Sequence, residues 1–293
     1  MQVKALACEL PRRTGVPLSR WSTAELAAEV IASGLVAAIS GTTIWRWLQA
    51  DAIRPWSRRS WLFPRDPEFA PKAARVLDLY HRMWEGMPLG PNEFVLSADE
   101  KTSIQARQRC HPTTPTRPRQ FMRVEHEYER LGAWAYLAVW DVHRAKVFGR
   151  CEVTTGIIPF DQLVTQVMTQ PPYCDADRVF WIVDNGSSHR GQRAIQRLRR
   201  QYPKQPELIL VHLPIHASWL NQIEIYFSIV QRKVLTPNDF TTLAEVSDRL
   251  LGFQQRYEAL ACPFRWEFTR DDLATVLQKL DATAAPAGLP RAA

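Results

Sequence analysis

The stretch VFWIVDNGSSHR, Val179–Arg190, carries the strongest structural pattern of the chain. It opens with consecutive apolar residues, which predict a buried strand. The strand pattern stops at Asp184, and the Asn185–Ser188 segment after it is typical of a turn. A carboxylate at the carboxyl end of a buried strand lies where α/β proteins bind ligands. Because an isolated buried charge is costly, Asp184 is expected to have a partner, such as a metal ion.

Two further segments place an acid in a comparable setting. EFVLSADEKTS ends a strand-like pattern at Asp99, and LPIHASWLNQIEIYFSIVQRK places Glu224 on an amphipathic helix. Trp219, Ile223 and Tyr226 have the spacing of that helix's core face, with Glu224 at its margin. Taken singly, Asp99 and Glu224 are more often surface residues. Together with Asp184, they form a strand, strand and helix set that suggests a metal-ion nuclease site.

The composition restricts the class of protein. The chain has 293 residues, of which 46% are hydrophobic, so it can form one large domain or two smaller ones. Its net charge of +7 favours polyanionic partners. The five cysteines form no CxxC pair, which argues against zinc and fits a reducing cytoplasm. No apolar run reaches the roughly 18 residues of a membrane span, and no signal peptide is present, so a soluble intracellular protein without membrane contact is expected.

The N-terminal part is predicted to form a small helical unit over residues 22–62. Ser22 and Glu25 fit a capping box, and Leu26, Val30 and Ile31 share one face of the helix that follows.

A second helix is predicted from Thr42, with Ile44, Trp47 and Leu48 on an apolar face and polar residues opposite. This arrangement fits a recognition helix in the DNA major groove and equally a solvated helix of a small bundle. Residues 53–71 are basic and rich in proline, which predicts a semi-rigid linker that could follow phosphates. The candidate DNA-binding residues are Thr42, Thr43, Arg46, Gln49, Arg54, Arg58 and Arg59.

The remainder of the chain predicts strands and helices in the order β, β, β, α, β, α, β, α, which indicates a mixed sheet covered by helices. Residues 106–130 are too long for a routine turn and are expected to be a functional or a disordered loop. The tail after Asp281 is rich in alanine and proline and is expected to be disordered.

Three segments together resemble a known family. SADEKTSIQA, VDNGSSHRG and LPIHASWLNQIEIYFSIVQRK are similar to the signature blocks of DDE transposases, in the bacterial insertion-sequence branch of the mariner-like superfamily. The segment ISGTTIWRWL resembles that family's second helix-turn-helix, and DPEFAPKAARVLDLY resembles its linker helix. The resemblance implies an α/β fold, an RNase H-like mixed sheet flanked by helices, with a small N-terminal helix-turn-helix unit. The implied domains are a partial helix-turn-helix region at 1–62, a linker and helix at 63–90, the catalytic domain at 91–260 with the insertion at 106–130, and a C-terminal helix and tail at 261–293.

The resemblance also implies the chemistry, which is DNA cleavage and strand transfer at transposon inverted repeats with two Mg²⁺ or Mn²⁺ ions. Asp99 would bridge both ions, while Asp184 and Glu224 would each complete one. From the residues themselves, Asn185 and Asn221 are candidates for hydrogen bonds to these acids, with turn and cap roles equally open, and His189 is a candidate for a supporting or a structural role. The partners would be double-stranded DNA and a second copy of the chain, with residues 106–130 where relatives carry a clamp loop that contacts the partner subunit. The location would be the bacterial cytoplasm, at the nucleoid.

Alternatives stay open at this point. Relatives carry another helix-turn-helix upstream of the position of Met1, so a truncated or domesticated protein that binds DNA without cutting it is the second hypothesis. A hydrolase that uses paired carboxylates on sugars is the third, although the basic charge argues against it. The chain also departs from the family at Gln222, where relatives usually have proline.

Overall fold

The computed structural model describes residues 2–58, 64–202 and 206–284. The chain divides into two compact units, Met1–Phe63 and Pro64–Ala293. Each unit has its own hydrophobic core. No helix within the described ranges is long and apolar enough to cross a membrane.

The first unit is built from short helices around a small core. Its helices are α1 (Gln2–Cys8), α2 (Thr23–Ala32) and α3 (Gly41–Ala50), with a 3₁₀ turn at Pro11–Thr14. The predicted capping box at the start of α2 is confirmed, because Ser22 accepts from the Glu25 N–H and the Glu25 side chain accepts from the Ser22 N–H. Leu26, Ile44 and Leu48 are fully buried, which brings α2 and α3 together.

Two apolar residues predicted on the inner faces of this unit lie outside its core. Ile31 is 40% exposed and Trp47 is 44% exposed. In so small a unit, only the central stripe of each helix reaches the core, and residues at its edge stay in contact with water. The linker prediction is also wrong at its N-terminal end, because Ile53 and Trp56 pack against this core. Arg59 and Trp61 lie outside the described residues.

The second unit is a mixed sheet with helices on both faces. Its elements are α4 (Phe69–Tyr80), β1 (Met83–Trp84), β2 (Met87–Pro88), β3 (Glu93–Gln108), β4 (Glu129–Asp141), β5 (Val147–Glu152), α5 (Ile157–Met168), β6 (Arg178–Val183), α6 (Gly191–Gln201), β7 (Glu207–His212), α7 (Ile223–Lys233), α8 (Leu243–Glu258) and α9 (Arg270–Ala284), with 3₁₀ turns at Tyr173–Asp175 and Ser218–Leu220. The five-stranded sheet has the order β5-β4-β3-β6-β7. β5, β4 and β3 are antiparallel, whereas β3, β6 and β7 are parallel.

Alternation along the strands separates two core layers. On one face, Val95, Phe180 and Ile182 pack with residues of α4, α7 and α8. On the other face, Leu96 and Trp181 pack with residues of α5 and α6. Side chains that alternate between two apolar layers explain why β6 is an unbroken apolar run. This order, direction and helix cover make the unit an RNase H-like fold, as the sequence predicts.

Four boundaries differ from the predicted ones. The strands enter the predicted insertion, since β3 continues to Gln108 and β4 begins at Glu129, and isolated bridges join Thr114 to Arg123 and Arg117 to Gln120. The helix that carries Glu224 begins only at Ile223, so Trp219 lies in a preceding 3₁₀ turn and is 43% exposed rather than part of a core face. The second unit begins at Pro64, ahead of the predicted catalytic domain at 91, and residues of α4 are part of its core. α9 continues to Ala284, past the predicted start of the tail.

Candidate active site

Asp99 and Asp184 lie side by side at the carboxyl end of the parallel strands. The ladder between β3 and β6 pairs Ser97 with Ile182. Asp99 and Asp184 each follow two residues later, so they stand at the same level and point to the same face. Neighbouring strands are about 4.8 Å apart, which places the two carboxylates within reach of one ligand.

A histidine and a turn hold Asp184. Its Oδ1 atom contacts Nε2 of His189 at 2.6 Å and accepts from the Gly186 N–H at 2.8 Å. The His189 hydrogen bond lowers the pKa of Asp184 against the effect of burial. Gly186 has no room for a side chain, since an added Cβ would lie 2.9 Å from Asp184 Oδ1. Because both bonds fall on Oδ1, the other carboxylate oxygen is available to a ligand.

Asp99 is buried among other acids. Burial raises its pKa to about 7, and the charges of Asp184, Glu224 and Glu100 add to the rise, while the Glu100 N–H opposes it. Asn221 donates through Nδ2 to Asp99 Oδ2 at 3.2 Å and to the Ala98 carbonyl at 3.1 Å. The like charges around Asp99 show that the three predicted acids share one electrostatic environment.

Glu224 is brought to this site by the start of α7. Ser97 Oγ accepts from the Ile223 N–H at 3.0 Å and also bonds to Asn221, which fixes the helix start to β3. Tyr80, on α4, donates through its hydroxyl to the Leu220 carbonyl at 2.6 Å and accepts from the Gln222 N–H at 3.3 Å.

Glu224 lies in the first turn of α7 and is exposed. A negative charge is favourable there, next to the positive end of the helix dipole.

The donor set matches the chemistry of a hard divalent cation. Mg²⁺ and Mn²⁺ prefer carboxylate oxygens, and Mg²⁺ keeps several waters, so a few acids suffice. A cation would also offset the burial that raises the pKa of Asp99 and the repulsion from neighbouring acids that adds to the rise. Within the described ranges, no three His, Cys, Asp or Glu side chains already have the spacing of a metal cluster. The exposed Glu224 is the member with the most freedom to move.

The supporting residues predicted from the sequence differ in what they contact. His189 and Asn221 bond to Asp184 and Asp99, respectively. Asn185 does not bond to an acid, since its side chain donates to the Leu213 carbonyl and ties the end of β6 to the segment after β7. His216, the other histidine near the acids in sequence, is exposed with a positive φ of 61°.

Sequence reasoning missed Ser97, Glu100 and His212. His212 ends β7, and its Nε2 atom lies 2.9 Å from the His189 carbonyl oxygen, so it supports the loop that holds Asp184. Burial lowers the pKa of His212, which favours its neutral form. Glu100 follows Asp99, and burial raises its pKa. The alternation along β3, which places Ser97 and Asp99 on one face, is a signal that could have identified Ser97.

The candidate DNA-binding residues that the structure describes all lie in the first unit. Thr42, Arg46, Arg54 and Arg58 are exposed, and Thr43 and Gln49 are partly exposed. Thr43 also contributes to the start of α3, where its N–H donates to Ser40 Oγ at 3.2 Å. The polar face of α3 is therefore open to solvent.

Known proteins are similar to the chain in both sequence and structure. Residues 95–247, more than half of the chain, match a family model described as DDE superfamily endonuclease. No curated protein sequence matches.

Among solved structures, the mariner Mos1 paired end complex with Mg has a TM-score of 0.52 at 13% identity, over 98% of this chain and 79% of that chain. The Mos1 transposase paired-end complex with left transposon end has a TM-score of 0.50 at 11% identity, over 96% and 76%. The Mos1 Strand Transfer Complex has a TM-score of 0.50 at 11% identity, over 98% and 78%. At these identities, the likeness establishes the shared fold.

The family match includes Asp99, Asp184 and Glu224. The chain belongs to the DDE superfamily endonucleases.

Proposed function

We propose that this protein is a DNA transposase that cleaves transposon ends and joins them to target DNA, with Asp99, Asp184 and Glu224 as its catalytic acids. The observation that carries the proposal is the position of Asp99 and Asp184, each two residues beyond the paired Ser97 and Ile182 of adjacent parallel strands, with the charges of Asp184 and Glu224 adding to the rise in the pKa of Asp99 that burial causes. The endonuclease family match supports the reaction class. The Mos1 structures, whose names refer to a transposase, a transposon end and strand transfer, support the substrate.

The three acids would hold divalent metal, and two Mg²⁺ or Mn²⁺ ions are proposed. When bound, the metal activates the attacking water or sugar hydroxyl and neutralises charge on the phosphate in the transition state. The chain's own residues prepare the acids for this task. His189 and the Gly186 N–H orient Asp184, and Asn221 orients Asp99.

The partners follow from the same proposal. The first unit would bind double-stranded DNA through the polar face of α3 and the basic residues Arg54 and Arg58, and the second unit would cut it. The loop between β3 and β4 would contact a second copy of the chain in a homodimer on paired ends. The proposed domain boundaries are those of the sequence, with the catalytic domain at 91–260. The bacterial nucleoid is the proposed location.

The test is plasmid nicking by the purified protein in Mg²⁺ or Mn²⁺. We expect nicking by the unmodified chain and none above background for Asp184→Asn, because the amide removes a negatively charged ligand while it keeps the shape of the side chain. Asp271→Asn is the matched control, since Asp271 is an exposed acid of α9, remote in sequence from the site.

Equal nicking by Asp184→Asn and the unmodified chain would refute the catalytic proposal. If neither protein nicks but both bind duplex DNA in a salt-sensitive manner, the non-catalytic binding protein is the correct alternative. In that case, Asp184→Asn should bind DNA more tightly without metal, because one source of phosphate repulsion is gone.

A further inference from the structure

A polar groove of about 280 Å³ lies in the second unit, along the part of β3 that follows Asp99. One wall is the distal half of β3, and the other is formed by the end of α7 and the segment that follows it. The lining residues that matter here are Lys101, Gln105, Arg107, Arg109, Gln231 and Asn238. We call this feature the β3–α7 groove.

The groove carries positive charge that no acid offsets. Lys101, Arg107 and Arg109 line it, and no aspartate or glutamate of the described chain does. None of the three forms a salt bridge with a described carboxylate. Arg107 and Arg109 instead lie over the ring of Tyr128, at 4.6 and 5.5 Å from its centroid. Three unpaired cations in one depression attract an anionic ligand.

The walls also have unused hydrogen-bonding capacity. Arg107 Nε, Arg109 Nε, Gln105 Oε1 and Asn238 Oδ1 are buried without a partner among the described residues. Buried polar atoms of folded proteins are normally paired, so such a concentration in one groove calls for an explanation. Arg109 is otherwise well held, since Nη2 donates to the Asn238 carbonyl at 3.1 Å and Nη1 donates to the Glu125 carbonyl. The Arg109 guanidinium is thus held in place, and the groove wall contains buried polar atoms without a partner among the described residues.

The position of the groove relates it to the reacting bond. Lys101 follows Asp99 by two residues on β3, which is about 7 Å along a strand. Gln231 follows Glu224 by seven residues on α7, which is about 10 Å along a helix. Nucleotides of a duplex rise by about 3.4 Å each, so the end of the groove at Lys101 and Gln231 lies two to three nucleotides from the acids. Arg107 is six residues further along β3, up to about 20 Å beyond Lys101.

An irregularity in β3 shapes this part of the strand. The ladder to β4 shifts register between Lys101 and Ile104, and Ser103 has a positive φ of 59°. Bulges of this kind turn side chains away from the regular sheet and occur next to active sites.

We infer that the β3–α7 groove binds the phosphodiester backbone of the DNA strand, beginning at Lys101 two to three nucleotides from the bond that is cut and continuing away from it toward Arg107. This inference rests on the proposed function and assigns to it a specific phosphate-binding site. Lys101 and Arg107 contact the phosphates, and Arg109 holds the wall in place. The groove keeps the strand in register, so that the correct phosphate reaches the acids.

The test compares Lys101→Gln/Arg107→Gln with the control Lys233→Gln/Arg256→Gln. Both variants remove two positive charges, but Lys233 and Arg256 line a different cavity. Duplex DNA binding is measured without divalent metal over a range of salt concentrations, so that no cleavage is needed. Each lost phosphate contact lowers the slope of log K against log salt by about 0.9. We expect a loss of about 1.8 for the groove variant and a smaller loss for the control. Equal slopes for the two variants would overturn the inference.

A second arm locates the contact. One phosphate at a time is replaced by a neutral methylphosphonate along a strand whose nicking site has been mapped. The unmodified chain should lose affinity when the replacement lies two or three nucleotides from the nick, and the groove variant should show no further loss there. A uniform response at all positions would contradict a discrete site. Matching thermal unfolding of both variants excludes misfolding, and Lys101→Arg in the otherwise unmodified chain, which keeps the charge, should leave the slope unchanged.

The remaining outcomes separate the two proposals. Inorganic phosphate at matched ionic strength should not displace DNA, and displacement would show a small-anion site instead. If the salt slopes of the two variants differ as expected but no protein nicks DNA, the catalytic proposal is refuted and the groove remains a DNA-binding site. If the unmodified chain nicks DNA but the two variants have equal salt slopes, only the inference about the groove is refuted.

Discussion

At the scale of single residues, a histidine and an asparagine orient the acids of the site. His189 is 2% exposed, lies between Ser188 Oγ at 2.9 Å and Asp184 Oδ1 at 2.6 Å, and packs on the ring of Phe160. This histidine is therefore fixed on all sides and can hold the carboxylate in one orientation. Asn221 has a similar relation to Asp99 from the opposite side of the site.

His189→Ala is expected to weaken Mn²⁺ binding by about 10- to 100-fold, because partners that orient metal ligands usually contribute this much. Isothermal titration with Mn²⁺ measures the change directly, without DNA or turnover. His216→Asn is the control, since His216 is exposed and asparagine tolerates its positive φ. Unchanged Mn²⁺ affinity in a folded His189→Ala protein would mean that the histidine only fills space.

Residues of the site differ in how well the sequence predicts them. Asp184 was identifiable because an apolar run stops at a charge and a turn follows. Ser97 and His212 lie inside ordinary strand patterns, and their roles arise from contacts 124 and 23 positions away in sequence. For Asn185 the sequence left a bond to an acid and a turn role equally open, because a turn asparagine can bond equally well to a backbone carbonyl, and it bonds to the Leu213 carbonyl.

At the scale of elements, the pairing of β4 with β5 depends on a close approach. Gly149 lies on β5, and an added Cβ would come within 2.6 Å of Cε2 in the ring of Tyr136. Tyr136 is fully buried on β4 and touches Tyr226 of α7 through its hydroxyl at 3.3 Å. The glycine thus lets one tyrosine join the sheet to the helix that carries Glu224.

Gly149→Ala is expected to destabilise the protein by about 1–3 kcal/mol, because the ring cannot move without disturbing a packed layer. Gly252→Ala provides the contrast. Gly252 lies within α8 with open space around its Cα, so alanine should stabilise the helix by roughly 0.5–1 kcal/mol. Urea unfolding of both variants measures the difference. A gain in stability for Gly149→Ala would show that the Tyr136 ring moves at little cost in free energy.

The elements were predicted best where one periodicity dominates. β6 spans Arg178–Val183, as its apolar run from Val179 to the stop at Asp184 predicts, because that run has one clear pattern. β3 and β4 were predicted too short, since their distal halves are polar and pair with each other beyond the core. Strand pairing of this kind comes from the partner strand and leaves little signal in local sequence.

At the scale of the whole molecule, the chain has two separate cores. Leu48 is fully buried in the first unit, and Leu77 is fully buried in α4 of the second. A core as small as that of the first unit supplies little stability on its own. Calorimetry should therefore resolve two unfolding transitions.

Leu48→Ala and Leu77→Ala assign these transitions. Each substitution should cost roughly 2–5 kcal/mol in its own unit. Leu48→Ala should lower the temperature of one transition by about 4–8 °C for each kcal/mol of lost stability, as expected for a smaller domain. Leu77→Ala should lower the temperature of the other by about 2–4 °C for each kcal/mol, as expected for a larger domain. A single transition that moves with both substitutions would show that the units unfold together.

The contact between Tyr80 and Gln222 links two positions 142 residues apart and has an evolutionary consequence. Gln222 has a φ of −62°, and Asn221 before it is extended, so the backbone already has the shape that a proline at 222 needs. Proline at 222 lacks an N–H, so it would lose the 3.3 Å backbone hydrogen bond to the Tyr80 hydroxyl. The Tyr80 hydroxyl would keep its 2.6 Å hydrogen bond to the Leu220 carbonyl. Loss of Tyr80 first would leave both the Leu220 carbonyl and the Gln222 N–H unpaired in buried surroundings. Lineages that exchange these residues should therefore change position 222 before position 80, and descendants with glutamine at 222 should retain the tyrosine.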